Sequence, residues 1–253
     1  MKPAKSIASK LIAVIFALLS NSVCADISFD GYTRLIFESS HKQLTFNIVN
    51  EFDDAALVQV TLDWGEKRNS AQVPMALSRP LLMIPAKGKA SVDILYEGTG
   101  LPDNQESFFL LSVLEVPKEP TEGNIAQIAL QHNLKLFYRP HFSESREEAV
   151  EKLRWTRTSR DAPMHFQANN NSPYYLTLTE VELLGEQGQR CGTPVNHLMV
   201  APFSTFDLAI PDCTEPPSQL SYRIISDGGA EHLRKYDLPP NQANQANQAN
   251  QQQ

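Results

Sequence analysis

Three cysteines and six histidines are the side chains of this 253-residue sequence best suited to covalent or metal chemistry, and their spacing argues against both. His41, His132, His141, His165, His197 and His232 are scattered, with none of the H-x-H, H-E-x-x-H or mixed Cys/His patterns that gather ligands round an ion. No metal site and no cofactor is expected. A nucleophilic G-x-S-x-G elbow and a G-x-x-x-x-G-K-S/T phosphate loop are also missing, which leaves acyl transfer and nucleotide chemistry without a local signature. The acid pairs Asp53-Asp54 and Glu147-Glu148 fall in expected loops, where hydrated carboxylates are the ordinary arrangement. These side chains do not compose an enzyme.

The N-terminal segment sets the compartment in which the cysteines work. Lys2, Lys5 and Lys10 accompany nine apolar residues from Leu11 to Leu19, and Val23-Cys24-Ala25 offers small residues for cleavage after Ala25. Residues 1–25 therefore read as a secretory signal peptide, because the apolar run is about half the roughly 18 residues a membrane span needs. Cleavage removes three of the 22 basic residues and none of the 29 acids, leaving a formal charge of −10. So acidic a surface argues against nucleic acid as a partner, since phosphate binding needs surplus Lys and Arg. No membrane insertion is expected. Cys191 and Cys213 are the cysteines left to the exported chain, and in an oxidising compartment a disulfide is their default state. Closing a loop of about twenty residues, it would add about 3 kcal/mol by restricting the unfolded chain.

The elements that must position all these residues read as all-β. Short alternating segments separated by Pro, Gly and Asn clusters run from Ile27 onward: 33–37, 43–49, 57–64, 81–84, 91–96, 107–116 and 125–138. A second set follows at 153–158, 164–168, 174–184, 197–200, 205–210, 219–225 and 232–236. Two sandwiches are expected, over residues 26–142 and 143–240, with Arg139-Pro140 ending the longest strand and one helical turn as an alternative over Glu147 to Arg154. Residues 241–253, built of Asn-Gln-Ala units and a final run of Gln, have nothing to bury and are expected to be disordered.

One strand stands apart. Asn124 to Pro140 reads NIAQIALQHNLKLFYRP, and its roughly fourteen extended residues are more than twice a typical strand. Alternation puts Ala126, Ile128, Leu130, His132 and Leu134 on one face and Gln127, Ala129, Gln131, Asn133 and Lys135 on the other. Two readings stay open on pattern alone. The apolar face packs on its own sandwich, or the strand overshoots its sheet and pairs with another chain, since an exposed apolar edge of this length otherwise invites aggregation.

Five motifs in order, TRLIF (33–37), LVQVTLDW (57–64), LPDNQESFFLLSVLEVP (101–117), QIALQHNLKLFYRP (127–140) and NNSPYYLTL (170–178), cover the mature chain with a resemblance to the periplasmic pilus chaperones of the PapD-like family. The resemblance implies two immunoglobulin-like domains set at an angle, with pilus subunits bound in the cleft by β-strand addition, a fold and a binding mode for which this family is a standard example. It implies a non-enzymatic periplasmic chaperone that hands its subunits to an outer-membrane usher. Ala126, Ile128 and Leu130 would fill the subunit groove, Ala126 less deeply than the larger residue usual there, and His132 would add a polar contact at the end of the row. Arg34 and Lys135 match the anchor for the subunit's C-terminal carboxylate. Glu106, Arg139 and Asp227 match an ion network between the domains, and the short connection from Lys118 to Gly123 matches the subfamily that assembles rod-like pili.

The sequence departs from the family pattern at Gln105, at Asp93, in its acidic charge and in its tail, features that bear on subunit choice and usher docking. A rival reading, an exported structural or adhesive pilus component, leaves the Arg34 and Lys135 pair unexplained. The apolar strand also makes self-association of the free form an expectation.

Overall fold

Residues 27–66, 71–117, 128–159 and 164–238 are described by the computed structural model; the expected signal peptide, Ala126, the Lys118 to Gly123 connection and the Asn/Gln tail lie outside them. The first half forms β1 (Ile27–Ser28), β2 (Arg34–Glu38), β3 (Gln43–Asn50), β4 (Ala56–Trp64), β5 (Met75–Leu77), β6 (Leu81–Ile84), β7 (Lys89–Tyr96), β8 (Ser107–Val116) and β9 (Gln131–Arg139). They make a sheet of order β1-β3-β7-β5 facing one of order β2-β9-β8-β4-β6. Period-two alternation explains the pairing. Phe46 and Ile48 of β3 and Val92 and Ile94 of β7 point inward to meet Val58, Phe109, Leu111 and Leu136 of the second sheet, all fully buried. Burial of each such side chain stabilises the fold by about 1.5–3 kcal/mol.

The second half begins with a short helix α1 (Arg146–Glu151) and continues through β10 (Arg154–Ser159), β11 (Met164–Asn170), β12 (Leu176–Leu184), β13 (Arg190–Val200), β14 (Ser204–Ile210), β15 (Gln219–Ile225) and β16 (Glu231–Asp237). Its sheets have orders β10-β11-β14 and β13-β12-β15-β16 around a separate core that includes Trp155, Phe166, Leu176, Leu198 and Leu220. Cys191 and Cys213 are bonded, with Cα atoms 4.9 Å apart. Because β13 edges one sheet and Cys213 follows β14, the edge strand of the other, the bond fastens the open side of the sandwich.

Several sequence expectations are corrected. Glu147-Glu148 lies in a helix rather than a loop, which favours the helical-turn alternative: Ser145 caps α1, and its backbone and hydroxyl bonds to Glu148 hold that carboxyl below its usual range. Strands β1 and β5 went unread, because two and three residues are too few to show alternation. The long strand starts at Gln131 rather than Ile125: the ladder with β8 reaches only the Gln131 to Leu114 pair, and one further bond runs from Glu115 N to Leu130 O at 2.9 Å. Ile128 and Leu130 therefore precede β9, with Leu130 held to β8 by that one bond. Asp93, one of the departures, accepts a 2.6 Å bond from Thr45 within its own sheet.

Candidate functional site

The parallel pair β2 and β9 builds the site. Its register sets Arg34 beside Lys135, Ile36 beside Phe137 and Glu38 beside Arg139. Leu35, Phe37, Leu136 and Tyr138 of the same strands join the core of the first domain, so the alternate residues face the other way, toward the second domain. Three rungs result: two cations, an apolar pair and an ion pair.

The middle rung joins the domains. Phe108, Phe137 and Tyr175 form one buried cluster with Ile36, Met199 and Ala201 packed round it, and the Phe108 and Phe137 rings stack at 5.3 Å. Tyr175 donates its hydroxyl to Glu66 at 2.7 Å. Gly65 has no side chain because a Cβ there would stand 2.1 Å from the Phe108 ring.

At one end Arg139 is enclosed by carboxylates. Its Nε donates to Glu106 at 2.7 Å, its two terminal nitrogens grip Asp227 at 2.6 and 2.9 Å, and Glu38 lies at 3.5 Å. Glu106 is nearly inaccessible and also accepts from the Tyr175 amide at 2.7 Å. Its burial pushes its pKa up, while Arg139 and the Tyr175 amide pull the other way. Burial acts in the same sense on Asp227, but the bonds and charge of Arg139, with Arg146 behind it, hold its carboxyl below the usual range. The turn after β15 delivers Asp227. Gly229 has φ +83° and meets Thr33 so closely that a Cβ would lie 2.3 Å from its hydroxyl. The expected network of Glu106, Arg139 and Asp227 is thus brought together, and it gains Arg146, whose Nε is 3.1 Å from Asp227. Arg146 was not singled out in the sequence because its partner is 81 residues away and no spacing reveals it.

At the other end Arg34 is 7% exposed and its Nε has no hydrogen-bond partner among the described residues. Its guanidinium stands 5.8 Å from the Phe137 ring centre. Burial first, then Arg146, lowers its pKa to about 10. Burial first, then Arg34, lowers that of Lys135 to about 8. No carboxylate bonds to either among the described residues. Lys135 Nζ lies 2.7 Å from Nε2 of His197 on β13. In the sequence His197 was one histidine among six, and only the folded cleft distinguishes it.

Beyond this end β9 has a free edge. It pairs with β8 from Gln131 onward but with β2 only from Lys135 to Arg139, so the β2 side is unpaired over residues 131–134 among the described residues. Ile128 is 79% exposed and Leu130 41%, whereas His132 packs edge-on to Phe29 of its own domain at 5.4 Å. The four groove-filling candidates therefore part company: Ile128 and Leu130 are available, His132 is occupied, and Ala126 lies outside the described residues. Among the described residues no group of three His, Cys, Asp or Glu could hold a metal, and no helix is long and apolar enough to cross a membrane.

Comparison with known proteins fits this geometry. Residues 30–143 match the model described as pili and flagellar-assembly chaperone, PapD N-terminal domain, and residues 148–236 match pili assembly chaperone PapD, C-terminal domain. The chain is 33% identical over 195 residues to the probable fimbrial chaperone YadV of Escherichia coli (strain K12), covering 73% of this chain and 78% of that protein. It is 30% identical over 227 residues to the chaperone protein HifB of Haemophilus influenzae, covering 85% and 89%. The crystal structure of the YadV chaperone superposes with a TM-score of 0.72 at 28% identity, over 85% of this chain and 100% of that one.

Proposed function

The chain belongs to the PapD family of pilus-assembly chaperones, and on that premise we propose that it caps pilus subunits in the periplasm with the free edge of β9 and delivers them to an outer-membrane usher. It is a non-enzymatic chaperone of pilus assembly, and that membership does not favour the rival reading as a component of the fibre.

The observation that carries the mechanism is the junction where β2 stops covering β9. An edge strand with unpaired N–H and C=O groups accepts an added strand, which satisfies both chains' backbone bonds. A strand added over residues 131–134 lies in line with β2 and ends against Arg34 and Lys135. If it runs parallel to β9, as β2 does, its C-terminus is the end that meets them. A terminal carboxylate there receives charge-assisted bonds from a guanidinium and an ammonium, which fixes the register of the whole added strand. Ile128 and Leu130 supply alternate apolar side chains for the groove of a subunit that lacks a strand of its own. With no subunit present, the same edge offers itself to a second copy, and a mass that depends on dilution in light scattering would show it.

The test is a pull-down of tagged protein from the periplasm, run beside an Arg34→Ala/Lys135→Ala variant. Subunits with pilin-like C-termini are expected on the wild type and absent from the variant. Equal capture by both would sink the anchor.

A further inference from the structure

His197 reaches the anchor from the other domain. Its Nε2 is 2.7 Å from Lys135 Nζ across the cleft, and its ring is exposed to whatever enters. Burial first, then Lys135, then Arg34, hold its pKa below the usual 6.5. The neutral ring is therefore the prevailing form near pH 7, and its unprotonated nitrogen accepts from the ammonium. The charged groups acting on it are Lys135 on β9 and Arg34 on β2. Within its own sheet His197 stands opposite Thr179 on β12, whose next neighbour, Arg223 on β15, is held by Glu180 at 2.6 Å and faces Glu231 at 3.7 Å.

Resting on the anchor reading above, we propose that His197 is the anchor's positioning residue: it accepts a hydrogen bond from Lys135 in the empty cleft, and on protonation it becomes a third cation facing the terminal carboxylate of the bound chain. A lysine has four rotatable side-chain bonds, and holding its ammonium in place before binding lowers the entropy lost when the carboxylate arrives. Protonation turns Nε2 from acceptor into donor. In the empty cleft that sets like charges against each other, whereas a carboxylate placed among the three cations accepts from all of them. Carboxylate binding thus raises the pKa of His197 and takes up protons, so affinity for a free C-terminus rises as pH falls through the range just below 6.5. The anchor spans both domains, because the second domain senses the charge that the first one binds.

The probe is a synthetic peptide of alternating apolar residues with a free C-terminal carboxylate, beside the same peptide as its C-terminal amide, titrated by calorimetry between pH 5 and 8. The wild type should prefer the acid, and increasingly so below pH 6.5. His197→Leu should reduce that preference about tenfold at pH 7.5, the effect of losing one hydrogen bond to a charged group, and flatten its pH profile below about pH 7, where Lys135 keeps its proton. His197→Gln, whose side-chain oxygen can accept from Lys135, should restore the preference at pH 7.5 while the profile stays flat. A merely structural histidine would leave both unchanged, and His197→Leu with wild-type preference and profile overturns the proposal. Arg34→Ala separates the two readings. If it keeps the acid preference, the anchor itself is wrong; if it loses the preference and His197→Leu does not, only the role of His197 is. A second measurement needs no ligand: the imidazole titration of His197 followed by NMR should move up when Lys135→Met removes the ammonium, and an unmoved titration rejects the contact on which the proposal stands.

Discussion

Arg34 and Arg139 sit on neighbouring strands of one sheet, both face the second domain and both are largely buried, yet Arg139 is enclosed by Glu106, Asp227 and Glu38 while Arg34 has a lysine beside it and an unpartnered Nε. The two lie about 13 Å apart along the ladder, taking four residues of parallel strand at about 3.3 Å each. Desolvating an ion costs several kcal/mol, and only a matched counter-ion with good geometry offsets it. At the Arg139 end the chain supplies that counter-ion from its other domain, so the interaction holds the domains together. At the Arg34 end no described carboxylate bonds to the cation, and Asp227 and Glu106 offset its burial only through space. The electrostatic cost stays in the free protein, and on the proposed anchor its relief is binding energy for an entering anion.

The sharpest way to break this contrast is to remove the cations from each end in turn. Arg34→Ala/Lys135→Ala should weaken subunit capture at least about 100-fold, as expected for losing two charge-assisted contacts at a buried centre. Its unfolding temperature should be unchanged or higher, because two like charges leave a dry site. Binding calorimetry and thermal unfolding on the same samples decide it, and a variant that loses binding only by losing its fold contradicts the contrast.

Arg139→Ala should do the reverse. It leaves Glu106 buried without its cation, and breaking a buried pair from one side costs about 3–5 kcal/mol. Denaturant unfolding would report that loss, and the tie to Asp227 across the domains goes with it. A loss under about 1 kcal/mol would mean that the aromatic cluster alone fixes the cleft.

Ile128→Asp sharpens the contrast from outside the ladder. The side chain touches almost nothing in the free protein, so stability should hold within about 0.5 kcal/mol, the range for surface substitutions. Subunit affinity should fall about tenfold or more, since a carboxylate would enter an apolar groove. Unchanged affinity would place the groove-filling residues elsewhere on the chain.

How much of this was legible in the sequence follows from which interactions are local. Strands β6, β8 and β15 were read at their true limits, because alternation and flanking turn residues are properties of a few adjacent positions. The start of β9 was misplaced because its ladder with β8 stops at the Gln131 to Leu114 pair, two residues short of the end of β8, and alternation in residues 125–130 does not show where pairing stops. Arg34, Lys135, Glu106, Arg139 and Asp227 came from resemblance to a family, not from spacing. The meeting of Arg34 with Lys135 depends on register between strands a hundred residues apart, and those of His197 with Lys135 and Arg146 with Asp227 join residues 62 and 81 positions apart, which no motif announced.

The smallest effect tests the contrast through pH. The pKa of Lys135 is about 8 in the fold against its usual 10.5, lowered first by burial and then by Arg34. Below pH 8 the folded and unfolded chains both carry that proton, and the cost of burying the charge is fully present. Between about 8 and 10.5 the unfolded chain still holds a proton that the folded chain has released, so this group makes stability rise with pH across that window. Asp227 gives stability a slope of the same sign at the acid end, but here the charged form is the stabilising one. Its folded pKa lies below the usual 3.8, so its contribution is present above that value and is lost as pH falls through the folded pKa. The difference in stability between wild type and Lys135→Met, followed from pH 7 to 10, isolates the lysine: the variant should be the more stable at pH 7, and the gap should close as pH rises. A bound C-terminal carboxylate restores the lysine's usual preference for its proton, so the complex should instead weaken as pH climbs above 8. A gap that stays constant across the window would mean that Lys135 is solvated like any surface lysine, and the electrostatic difference between the two ends of the ladder would then rest on Arg34 alone.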